Sequence, residues 1–97
     1  MLNHLDMPAV PGVYQIAHTE TGSLYIGCSK NIRHRVRDHV TALTRNRHVA
    51  KRMQRHWNIS GRAGFTVCVL EVCDEGAIYA RESEYIRQRE PVYNGLQ

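Results

Sequence analysis

At 97 residues the chain has room for one modest hydrophobic core and no second globular unit. Basic residues outnumber acidic ones by four and eleven of the thirteen are arginine, a balance that suits a polyanionic partner and bidentate phosphate contacts. No apolar run is long enough to span a membrane and no signal-peptide pattern is present, so a soluble, cytoplasmic protein with no membrane partner is expected. Three cysteines, Cys28, Cys68 and Cys73, form no CxxC pair and read as reduced thiols, with Cys68 inside an apolar strand run.

Residues 1–11 have no clear period and read as a leader or a loose first strand partner. Val13 to Ala17 and Ser23 to Gly27 are β-branched and aromatic runs separated by a turn-forming stretch ending in Gly22, the pattern of a β-hairpin. With Tyr14 opposite Tyr25, a four-residue loop at 18–21 joins the strands and both phenols share one face. Taken alone, such a pair is an ordinary cross-strand aromatic contact. Ser29 is a candidate N-cap for a helix over 30–43, whose apolar stripe is Ile32, Val36, Val40 and Leu43. His39 falls on the margin of that stripe, with Arg35 one turn before it on the same flank.

A second helix is predicted over 44–60, with Val49, Ala50, Met53 and Trp57 as its core face and His48 near its start. Arg45, Arg47, Lys51, Arg52 and Arg55 occupy its other faces. No acidic residue occurs between Asp38 and Glu71 to pair with them, which favours a nucleic-acid surface over a merely solvated one. Residues 64–70, GFTVCVL, read as the clearest buried strand, and Asp74 as the cap of a last helix over 75–89. In that helix Ile78, Tyr85 and Ile86 form the apolar stripe and Glu82 projects into its middle. A buried carboxylate needs a cation: either an ion pair with Arg35 or a metal ion satisfies it. Pro91 ends the helix, and the short piece after it carries Asn94 back towards the same place.

Gly12-Val13-Tyr14, ten residues, then Tyr25-Ile26-Gly27 resembles the signature of the GIY-YIG nuclease family, with Val13 in place of the usual isoleucine. Arg35, His39, His48, Glu82 and Asn94 match the family's downstream polar residues in order, so the resemblance spans nearly the whole chain. It implies a single domain over 12–97, a small α/β sandwich with a central, mainly antiparallel three-stranded sheet flanked by helices. It implies a metal-dependent endonuclease acting on DNA phosphodiesters of duplex or branched substrates, of a phage or mobile element, alone, as a homodimer or as a module of a larger assembly. The catalytic set is then Tyr14, Tyr25, Arg35, His39 and Glu82, supported by Gly27, His48 and Asn94. Glu82 binds Mg2+ or Mn2+, and Tyr14 serves as the base, as a phenolate whose pKa is lowered by nearby cations. The competing reading is a nucleic-acid-binding module that keeps the fold without turnover.

Overall fold

A computed structural model describes residues 1–95. Its sheet has three antiparallel strands in the order β2-β1-β3, with β1 over Gly12–His18, β2 over Leu24–Ser29 and β3 over Phe65–Val72. Helices α1 (Ile32–Thr44) and α2 (Lys51–Ser60) come between β2 and β3, and α3 (Ile78–Arg89) follows the sheet. The α/β sandwich is therefore as expected. Among the described residues, no helix is long and apolar enough to cross a membrane.

The central strand is covered on both faces, which is why neither side of its alternation is wet. Tyr14 and Ile16 pack with Ile32, Val36 and Leu43 of α1 and with Met53 and Trp57 of α2. Val13 points the other way, into a smaller cluster with Ile26, Cys28 and Ile78 of α3. Alternation along an extended strand thus divides one short run between two cores.

Several predicted details differ. Tyr14 pairs with Gly27 and Tyr25 with Ile16, a register two residues from the expected one. Because side chains repeat every second residue, a shift of two leaves both phenols on the same face. Helix α1 starts later than expected, with Asn31 rather than Ser29 as its N-cap: the Asn31 side chain accepts from the His34 N–H at 3.1 Å. Helix α2 is shorter than expected, so Arg45, Arg47, His48 and Val49 lie on the connector before it, and Val49 is 85% exposed instead of being core. Strand β3 is an edge strand with only Phe65 buried, and Cys68 is exposed. Asp74 precedes a short 3-10 turn, Glu75–Ala77, and makes no side-chain capping bond.

Residues 1–11 pack rather than trail. Leu2 is fully buried and Met7 nearly so, in the core beneath α1. Burying a leucine contributes about 1.5–3 kcal/mol. The carbonyls of Val10 and Pro8 accept the Ile32 and Arg33 N–H groups, two of the donors that the start of a helix leaves without intrahelical partners.

Candidate active site

The face of the sheet that carries both phenols meets α1 and the α1–α2 connector, and there three predicted residues are joined directly. The Tyr14 hydroxyl lies 2.7 Å from His39 Nε2, and His39 Nδ1 lies 2.7 Å from His48 Nε2. His48 Nδ1 accepts the Ala50 backbone N–H at 2.9 Å. All three side chains are buried, and the two imidazoles are stacked at 5.0 Å. Tyr25, half-buried, meets both rings edge-on at 4.8 and 6.0 Å.

Burial dominates the acid-base character of this group. The His39 pKa is lowered to about 3, first by desolvation and then by His48 and Arg35. That of His48 is lowered by burial and Lys51. Both rings are neutral at pH 7. The Tyr14 phenol is pushed well above its ordinary value, mainly by burial, with Arg35 opposing the shift. Removal from water outweighs the arginine at this phenol, so Arg35 alone does not favour the phenolate expected from sequence. The Tyr25 phenol is also raised, with burial first and Arg35 the leading counterweight.

Outside the buried group runs a cationic cleft in two lobes that share Tyr25 and Val49. One lobe, about 250 Å3, is lined by Arg35, Arg47, Asp38 and the two histidines. The other, about 450 Å3, is lined by Lys51, Arg52, Arg55 and Asn94. Arg45 is the exception among the predicted cations. It lines a separate depression with His4, Arg37 and Arg62.

Glu82 is half-buried rather than buried, like Tyr85 and Ile86 of the same stripe, because α3 buries only Ile78 fully. It takes part in none of the ion pairs among the described residues, so the alternative of a close Glu82–Arg35 pair does not form. Its carboxylate faces Cys28, whose thiol is pushed up to about 12 by burial and then by Glu82. The same charge is felt at Tyr25 and, more weakly, at Tyr14. Arg35, exposed on α1, acts on all three of these groups with the opposite sign.

The family model described as the GIY-YIG catalytic domain matches residues 10–97. The chain belongs to this family. UvrABC system protein C of Synechococcus elongatus is 33% identical over 91 residues, which are 94% of this chain and 13% of that protein. The chain thus spans a small part of the curated relatives it matches. The catalytic domain of homing endonuclease I-TevI superposes with a TM-score of 0.74 at 27% identity, over 82% of this chain and 88% of that one. The N-terminal endonuclease domain of UvrC from Thermotoga maritima, a point mutant bound to its catalytic divalent cation, has a TM-score of 0.62 at 21% identity, over 93% of this chain and 88% of that one. That last likeness is one of fold.

In this GIY-YIG nuclease domain both signature glycines answer to space. A Cβ on Gly27 would overlap the Tyr14 hydroxyl and stand 2.5 Å from its Cζ, so the phenol lies where any side chain would be. A Cβ on Gly12 would run into the Glu71 carbonyl and come within 3.0 Å of Ile32 Cδ1, at the irregularity where β3 shifts register against β1. Asn94 reaches the cleft, but its amide is occupied: Oδ1 accepts the Ile26 N–H at 2.9 Å and Nδ2 donates to the Ile26 carbonyl at 2.7 Å. It pins the outer edge of β2 beside Tyr25, using one N–H and one lone pair of its amide to do so.

One supporting residue escaped the sequence reading. Gln54 is buried on α2; its Oε1 accepts the His48 N–H at 3.0 Å while its Nε2 donates to the Leu43 carbonyl and to Asn58. It locks the connector that presents His48. A glutamine flanked by Met53 and Arg55 carries no motif, and its single hint was a polar residue adjoining the apolar stripe.

Proposed function

We propose that the domain is a divalent-metal-dependent endonuclease that hydrolyses DNA phosphodiesters, with Glu82 as the metal ligand. The observation that carries this reading is a half-buried carboxylate without a cationic partner among the described residues, whose charge reaches both phenols on which Arg35 also acts. Among these residues no group of three His, Cys, Asp or Glu is arranged to hold a metal. That fits a hard ion such as Mg2+, which keeps several waters and needs only one or two protein carboxylates beside the substrate phosphate. The chemistry such an ion supplies when bound is polarisation of the phosphoryl oxygen and stabilisation of the leaving oxygen.

The chain's own residues divide the remaining work. Arg35, exposed at the cleft, neutralises charge that grows on the non-bridging oxygens, a task suited to its planar fork of donors. Tyr14 is 1% exposed and held against His39, so the role of orienting the attacking water passes to Tyr25, which lines the cleft. Lys51, Arg52 and Arg55 hold the phosphodiester backbone in the larger lobe, where no carboxylate among the described residues opposes them. One such centre breaks one strand per encounter, so nicking is the expected product unless two copies act together.

A supercoiled-plasmid assay tests the reading. Wild type nicks with Mg2+ or Mn2+ and not with EDTA, and Glu82→Ala loses nicking by at least about a hundredfold. Equal nicking with EDTA, or by Glu82→Ala, would end it. Replacing Lys51 or Arg52 with alanine lowers the slope of log affinity against log salt by about 0.9 for each phosphate contact removed. Arg45→Ala leaves that slope unchanged.

A further inference from the structure

The hydrogen bonds between Ala50 and Tyr14 have only one consistent direction. A backbone N–H donates and cannot accept, so His48 Nδ1, 2.9 Å from the Ala50 nitrogen, carries no proton. His48 is then neutral, with its proton on Nε2, because a ring without either proton is not accessible in water. That Nε2–H donates across 2.7 Å to His39 Nδ1, which must therefore be bare. His39 in turn carries its proton on Nε2 and donates it across 2.7 Å to the Tyr14 oxygen. Any other assignment sets two donors, or two lone pairs, against each other at hydrogen-bond distance. One peptide N–H thus fixes the protonation of two buried imidazoles and the polarity of a phenol two rings away.

We infer that His48 is a positioning residue of the nuclease site: with Ala50 N–H as its anchor it sets a one-way ladder that makes the Tyr14 oxygen an acceptor from His39. Resting on the proposed nuclease reading, this deepens it. His39 cannot serve as the base for Tyr14, since its only nitrogen near the phenol already carries a proton. Tyr14 accordingly keeps its own proton and gives it away from the histidines. Tyr25, which also meets His39 edge-on, Cys28 and Glu82 are the groups whose charges raise its pKa. The Tyr14 O–H is left to donate to an oxygen of the site rather than to the histidines. The ladder also ties chemistry to substrate contact, because its anchor and His48 sit on the connector between Arg47 and Lys51, which line the two lobes of the cleft.

The test reads ring nitrogens directly. In protein labelled with 15N histidine, long-range 15N–1H correlations at pH 7 are expected to show His39 and His48 both as neutral Nε2–H tautomers. A His39 protonated on Nδ1, or on both nitrogens, would overturn the inference. His48→Leu removes the donor and is expected to move His39 off the pure Nε2–H form and to lower kcat at least tenfold, with KM changed less than twofold. His48→Gln, whose amide can donate to His39, is expected to restore both the tautomer and most of kcat. An unchanged His39 tautomer in His48→Leu, or a Gln variant no better than the Leu variant, would equally sink it. The tautomers are measured without substrate, so a protein that cut nothing would refute the nuclease reading and leave the ladder to be judged on its own signals.

Discussion

Two places in this small domain bring a pair of stacked histidines to a tyrosine hydroxyl, and they do different things. At one, His39 and His48 stack at 5.0 Å and 20°, bonded ring to ring and on to Tyr14. At the other end of β1, His18 and His56 stack more closely, at 4.6 Å and 18°, and His56 Nδ1 lies 2.5 Å from the Tyr93 hydroxyl. There the two rings are not hydrogen-bonded to each other, and His18 Nε2 is buried without a partner among the described residues. Residue composition is nearly the same in both. What separates them is connection: the first pair forms an unbroken line from a backbone amide through both rings to the Tyr14 phenol, while in the second only His56 reaches its phenol, Tyr93, which lines the larger lobe of the cleft. A histidine pair gains a chemical direction only when its rings are bonded in series and one end is fixed.

The largest expected effect follows from the cleft. Arg35→Ala should lower cleavage by about a hundred- to a thousandfold, the usual cost of removing a preorganised charge from a transition state, with single-turnover rates as the check. Next comes Gly27→Ala, which sets a methyl against the Tyr14 ring: about 1–3 kcal/mol of stability should be lost, as for other overpacked sites, and cleavage should fall with it. Urea unfolding and the plasmid assay measure the two parts. A Gly27→Ala protein of wild-type stability would mean that Tyr14 does not lie where it is described.

Acid should weaken the first pair. A histidine whose folded pKa is depressed binds protons more readily when unfolded, so its contribution to stability is complete above the unfolded value of about 6.5. For His39 that contribution declines as pH falls from there towards about 3. The urea midpoint is therefore expected to drop between pH 7.5 and pH 5, and to drop less in His39→Gln. A midpoint that rises over this interval would contradict the neutral ladder. The smallest effect sharpens the contrast: His56→Phe removes one bond from the Tyr93 hydroxyl, which Thr21 and Ser23 also approach, and should lower stability by about 0.5–1.5 kcal/mol, yet keep the cleavage rate within about twofold. A large loss of rate would show that the second cluster also serves the reaction.

How far the chain could be read in advance depends on the range of the interaction. The strands, the helices and the membership of the family are carried by local pattern, and Tyr14, Tyr25, Arg35 and His39 could be placed together because strand and helix periods bring them to one side. The exact hairpin register could not, since a slip of two residues leaves every side chain on its proper face. Val49 was misjudged because the apolar spacing of Val49, Ala50, Met53 and Trp57 does not reveal that the helix starts at Lys51. Leu2 lacked any period to announce it, and its burial rests on α1, thirty residues on. Glu82 was singled out by a polar position in an apolar stripe, but its degree of burial depends on how α3 leans against β2, which no local pattern records. The hydrogen-bond ladder and Gln54 are products of the connector's path, visible only once the backbone amides are in place.

The central claim is that Glu82 is the cation site of the nuclease centre, and Mn2+ binding followed by electron paramagnetic resonance tests it most directly. Wild type should bind one Mn2+ per chain, and Glu82→Gln, with an unchanged circular dichroism spectrum, should bind it at least tenfold more weakly. Equal affinity in the two proteins would contradict the account.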